Sequence, residues 1–182
     1  MPANYSAQFK VFLKRVDADQ YLQERLYQTK ELSEVQEIAT ELGFDISLPE
    51  LLKAQANRVL ESSDEELDLI AACKKSRTLL QWGRKGSGFL DRSGFWLTHL
   101  ICSSSAFNPA SGALLKFFKV LKSDEALQEN IKSKRTFNDL IKKTAALGYK
   151  LTLYELIRYQ VRAILQVDDT LASKIASGDL AV

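Results

Sequence analysis

At 182 residues, 46% apolar and 26% charged, the chain can form one ordinary core or two small ones, and its composition favours neither a disordered nor a membrane class. No apolar run reaches about 18 residues, which predicts no membrane insertion, and Cys73 and Cys102 are too few for a disulfide framework, so a reducing cytoplasm is the expected compartment. The net charge of +2 hides an asymmetry: residues 1–71 hold 14 acids and 7 bases, residues 72–110 hold one acid (Asp91) and six bases, and residues 111–182 hold 8 acids and 12 bases. An acidic front and a basic remainder point to docking of one part on another, on a second copy or on a charged partner.

Met1–Ser6 lacks a basic stretch followed by an apolar segment, so no secretory signal is expected. Ser6 can cap a first helix with Phe9, Phe12, Leu13 and Val16 at helical spacing, and Asp17 or Asp19 can start a second carrying Leu22 and Leu26. Ser33 with Gln36 reads as a capping box for a third, whose stripe is Val35, Ile38, Ala39 and Leu42. Gly43 fits the left-handed residue that stops such a helix, and Phe44 and Ile46 pin the crossing to the core. Ser47-Leu48-Pro49-Glu50 is a second box, opening a helix with Leu48, Leu51, Leu52, Val59 and Leu60. Ser63-Asp64-Glu65-Glu66 is a third box, leading into Leu67, Ile70 and Ala71. Five short helices are predicted in residues 1–71.

Residues 111–182 repeat this plan at one offset of 105, as from Gly43 to Gly148. Ser6 falls on Ser111, Phe12 on Phe117, Asp19 on Asp124, and Leu22-Gln23-Glu24 on Leu127-Gln128-Glu129. Leu42-Gly43-Phe44 falls on Leu147-Gly148-Tyr149, Ser47-x-x-Glu50 on Thr152-x-x-Glu155, and Gln55 on Gln160. Caps, stop glycines and core positions match together, which predicts an internal duplication. The expected fold is all-α: two copies of a four- to five-helix unit, residues 1–71 and 111–182, joined by a basic, aromatic connector at 72–110.

The succession Phe12, Asp19-x-x-Leu22-Gln23-Glu24, Leu42-Gly43-Phe44-Asp45-Ile46 and Leu48-x-Glu50-Leu51 resembles the nitrogen-fixation-associated "Nif-eleven" domain of cyanobacteria and nitrogen-fixing bacteria. Residues 63–71 resemble the acidic helix that closes the leader peptides of that family. The resemblance implies a leader-like helical domain that recruits a modifying enzyme, with a double-glycine site that is later cut. Here Ala71-Ala72-Cys73 stands where two glycines or glycine-alanine are expected, and Asp64, Glu65 and Glu66 become Asp169, Thr170 and Leu171 in the second copy.

The connector holds both tryptophans, both cysteines and the single histidine, His99. Gly83 to Gly88 does not fit a phosphate-binding loop. Cys73, His99 and Cys102 lack a fourth ligand for a structural zinc, and no nucleophile has a base and an orienting acid beyond His99. Neither catalysis nor a cofactor is therefore expected. Trp82, Arg84, Lys85, Arg92 and Trp96 can contact nucleic acid through phosphates and stacking, but packing between the repeats and pairing with the acidic front is the favoured reading. Asp64, Glu65, Glu66 and Asp68 read first as a good helix start and, through the resemblance, as a docking face for a protein. The expectation is a non-catalytic protein-binding adaptor or regulator. The alternatives are a precursor or decoy of a modified-peptide pathway, with residues 73–105 as substrate, and a nucleic-acid-binding protein.

Overall fold

The computed structural model describes residues 5–71, 112–132 and 137–177, which form ten helices and no strand among the described residues. The first five are α1 (Ala7–Ala18), α2 (Gln20–Gln28), α3 (Leu32–Glu41), α4 (Leu48–Glu61) and α5 (Asp64–Ala71). The next five are α6 (Gly112–Ser123), α7 (Glu125–Lys132), α8 (Phe137–Ala146), α9 (Leu153–Gln166) and α10 (Asp169–Ser177). Each of α6 to α10 begins 105 positions after its counterpart, from 7 and 112 to 64 and 169. The all-α class holds.

Packing divides the chain into two groups. One holds α1–α5, the end of α9 from Ile164, and α10; the other holds α6–α8 and α9 up to Ala163. The first core is built from Phe9, Phe12 and Val16 of α1, Leu22 and Leu26 of α2, and Leu32, Val35, Ile38 and Ala39 of α3, together with Leu51, Leu52, Ala56 and Val59 of α4. These positions recur every three or four residues, so one stripe of each helix leaves water. In the second group Leu114, Phe117, Phe118 and Leu121 of α6 are buried, as are Leu127, Leu140, Leu156, Ile157 and Val161.

Short-range hydrogen bonds explain the matched sequence positions. Asp19 ends α1 and caps α2: its carboxylate accepts the Leu22 N–H at 3.0 Å. Gln23 then reaches back, its amide donating to the carbonyls of Val16 and Asp17 at 2.9 and 3.3 Å, where the last turn of α1 has carbonyls to satisfy. Asp124 and Gln128 do the same, with Leu127 N–H at 2.8 Å and the Leu121 carbonyl at 2.9 Å. The Asp-x-x-Leu-Gln pattern is therefore a helix junction with Leu buried at its centre.

The crossing after α3 closes in a Schellman motif. Gly43 has φ +84°, its N–H donates to Thr40 at 2.9 Å, and the Phe44 N–H donates to Ala39 at 2.9 Å. Gly148 repeats this at φ +86°, with Gly148 on Ala145 at 3.0 Å and Tyr149 on Thr144 at 2.9 Å. Phe44 then meets Phe12 edge-on at 5.5 Å, Tyr149 meets Phe117 edge-on at 5.6 Å, and Ile46 is buried.

Two local expectations need correction. α3 starts at Leu32 rather than after a Ser33 cap; its N-cap Glu31 makes no side-chain cap. Burial of Leu32 sets the entry, the Glu34 carboxylate takes the Lys30 N–H at 2.6 Å, and the Gln36 amide goes to the Ile46 carbonyl at 2.8 Å. At Ser47 only half the box forms: Ser47 Oγ accepts the Glu50 N–H at 3.3 Å, while the Glu50 carboxylate accepts the Ser6 N–H at 2.7 Å. Glu50 thus ties the start of α4 to the start of α1. Thr152 and Glu155 form the complete box.

A Cβ at Gly43 would meet nothing within 4 Å, so the cost of substitution there is one of backbone alone. Gly43→Ala is expected to destabilise by about 1 kcal/mol, Gly43→Val by more, and Gly43→Asn by less, because Asn tolerates the left-handed region. The Ala variant should lower the melting temperature by about 2–4 °C, and equal melting of all three variants and the parent would contradict a left-handed requirement.

Candidate functional site

The acidic start of α5 is shaped first by its own capping. Ser63 Oγ accepts the Glu66 N–H at 3.2 Å and the Glu66 carboxylate accepts the Ser63 N–H at 3.2 Å, a reciprocal box. Glu66 also lies 3.6 Å from the Arg58 guanidinium of α4. Asp64 is half-buried. Glu65 is exposed. Its own backbone N–H and the Ser63 hydroxyl hold the Glu65 carboxyl below the usual carboxylate range. Of the expected docking residues, Glu66 is thus largely absorbed by the fold, and Glu65 presents a charged head at the positive end of a helix. The Asp68 side chain lies outside the described residues, as do Trp82, Arg84, Lys85, Arg92 and Trp96 and the candidate metal residues Cys73, His99 and Cys102.

Gly43, Phe44, Gly148 and Tyr149 stand where the two crossings require them. Beside them, Leu42 is 39% exposed and Leu147 is 42% exposed, the same apolar residue left in water at the same place in both groups. The expected burial of Leu42 is corrected: as the last residue before the left-handed glycine it has rotated off the buried stripe. Tyr21 on α2 is the most exposed large apolar residue described, at 77%, and Val11 on α1 is also exposed. Neither Tyr21 nor Val11 was marked by the sequence pattern, because a single apolar residue on the polar face of a helix carries no periodic signal.

Between α2 and α3 lies an open cleft of about 260 Å³, lined by Arg25, Glu34, Ile38 and Glu41 among others. Arg25 pairs with Glu41 across it. Both side chains are well solvated, so this pair contributes little to stability. Among the described residues no group of three or more His, Cys, Asp or Glu side chains is placed to hold a metal ion. In the second group, Tyr159 packs on Phe118 at 4.8 Å, and burial pushes its phenol well above the ordinary tyrosine range. It is a core residue.

The junction at Asp19, the Schellman closure at Gly43 and the Ser47 cap all fall within one stretch, and that stretch matches a family model. Residues 6–51 are a Nif11-like domain. The match starts at the Ser6 cap of α1 and ends in the first turns of α4, so the Nif11 domain spans the first three helices, the glycine crossing and the start of the fourth. No curated protein and no solved structure matches the chain. No described helix is long and apolar enough to cross a membrane.

The sequence pattern also did not mark Lys53. Its ammonium lies 2.7 Å from the Asp169 carboxylate of α10, which packs on α4 and α3 in the first group. A long-range pair of this kind has no local signature.

The lowered pKa of Glu65 gives the cap a pH dependence. Because the proton binds less readily in the folded state, the contribution is present above the unfolded carboxyl pKa and is lost as pH falls through the lower folded value. Amide protection at the first turn of α5, taken relative to the intrinsic exchange rate at each pH, should fall in acid through that window. Glu65→Gln should flatten the response, and an unchanged acid response in that variant would assign it elsewhere.

Proposed function

We propose that the chain is a non-catalytic protein-binding adaptor or regulator that acts in the cytoplasm and presents a leader-peptide-like Nif11 domain to a protein partner. The observation that carries this reading is the match of residues 6–51, in which the motif residues serve caps, junction and core and none is arranged for chemistry. What remains for recognition is the surface those residues support. Tyr21 and Leu42 offer exposed apolar contacts, and Glu65 offers a charged one. Large aromatic side chains are the usual anchors of protein interfaces.

Residues 111–182 are a second, diverged copy in this reading. Support comes from the helix starts 105 positions apart, the matched left-handed glycines Gly43 and Gly148, the paired Asp and Gln junctions, and the buried Gln55 and Gln160. Two copies give two related faces, each with its exposed leucine, and a partner that engages both gains avidity without new contacts.

The family assignment also favours a second reading, in which the Nif11 domain is a true leader and the protein is a precursor or decoy. Intact mass from the native host separates the two: modification or cleavage establishes the precursor, and an unmodified, uncut chain removes it. The adaptor reading predicts a protein partner captured from native lysate at low and moderate salt, with capture reduced about tenfold or more by Tyr21→Ala, the loss of a strong interface anchor. Tyr21 is exposed, so the variant should melt as the parent does. Recovery of nothing beyond background at either salt overturns the reading.

A further inference from the structure

α10 is a nine-residue helix, too short to persist in water without a surface to pack on. Its surface is provided by α4 and, less extensively, by α3. The buried face of α10 is Ala172, Ile175 and Ala176, two small residues flanking one large one, which lets its backbone approach closely. α4 accepts it because α4 is buried on more than one side: Pro49, Leu52, Ala56 and Val59 form one stripe, and Leu51, Ala54 and Gln55 lie off it. Lys53 and Asp169 pair at 2.7 Å at one end of the contact, where Asp169 also suits the positive start of α10. Apolar fit, length and charge register all come from residues 48–61 and 169–177, which lie outside the Nif11 match except for the first turns of α4.

None of these contacts requires the two helices to belong to one molecule. Only Val167 and Asp168 separate α10 from α9, and Asp168 is itself the cap, accepting the Leu171 N–H at 2.8 Å. The boundary between the two groups falls inside α9, between Ala163 and Ile164, so the segment that completes the first group is continuous with a helix of the other. We propose that the α3–α4 face is a helix-docking surface and that its occupant is exchangeable: α10 of a second copy of this chain seats on it, and the two copies complete each other. Such an exchange uses native contacts twice over and no new ones. Tethering favours the closed monomer when the protein is dilute, and mass action favours the exchanged dimer as concentration rises.

Cross-linking across the Lys53–Asp169 pair tests this on the full chain, with Cys73 and Cys102 replaced by serine. Two single variants, Lys53→Cys and Asp169→Cys, are mixed at high concentration and treated with a short bismaleimide. The double variant serves as the intramolecular control. The expected result is a covalent heterodimer in the mixture, with yield rising with concentration and falling about tenfold when Ala172→Arg is added to the Asp169→Cys chain, the equivalent of about 1.4 kcal/mol lost at the docking face. A mixture that stays monomeric at every concentration while the double variant cross-links within itself overturns the exchange. A double variant that fails to cross-link overturns the docking itself. Heterodimer that persists undiminished with Ala172→Arg also overturns it, because the contact would then not be this face.

Discussion

The crossing at Gly43 is the constraint on which the first group depends. A residue with φ of +84° ends α3, and the Phe44 N–H on the Ala39 carbonyl turns the chain so that Phe44 reaches Phe12 and Ile46 enters the core. That turn also delivers Ser47 and Glu50 to the start of α4, where Glu50 accepts the Ser6 N–H and joins two helix starts 44 residues apart. The position of α4 therefore follows from one left-handed residue. The surface that receives α10 follows from the position of α4.

Much of this was legible because it is local. Ser6, Asp19, Ser63, Asp124 and Thr152 each act within three residues of themselves, and Gly43 and Gly148 announce a backbone conformation that other residues adopt at a cost. Legibility failed where two local solutions compete. Ser33 offered a cap to α3, but burial of Leu32 drew the helix start earlier and left Gln36 to serve the Ile46 carbonyl. Glu50 was expected to close the local box and instead accepts the distant Ser6 N–H. The docking of α10 was not legible at all, since a lysine and an aspartate far apart in sequence are one pair among many of their kind.

The same distinction bears on function. Residues that make the Nif11 pattern recognisable are those that caps, junction and core demand, so the pattern identifies a scaffold, and in the proposed adaptor reading partner contacts fall largely to side chains it does not specify. Tyr21 and Glu65 are of that second sort, and Leu42, a residue of the pattern itself, is exposed beside them. On that reading a chain could keep every matched residue and still bind a different partner, because specificity is a difference in surface contacts laid over a shared frame.

The pairing of Lys53 with Asp169 spans 116 residues, and that separation sets an order of events during synthesis. Domains ordinarily fold as they emerge, N-terminal first, at about 5–20 residues per second of elongation. Here α1 to α4 are made early, and the helix that covers this face of α4 in the folded chain follows roughly 6–23 s later at that rate. During that interval a nascent chain lacks the helix that covers this face in the folded chain. Neighbouring nascent chains on one message carry the same face and, shortly afterwards, the helix that fits it.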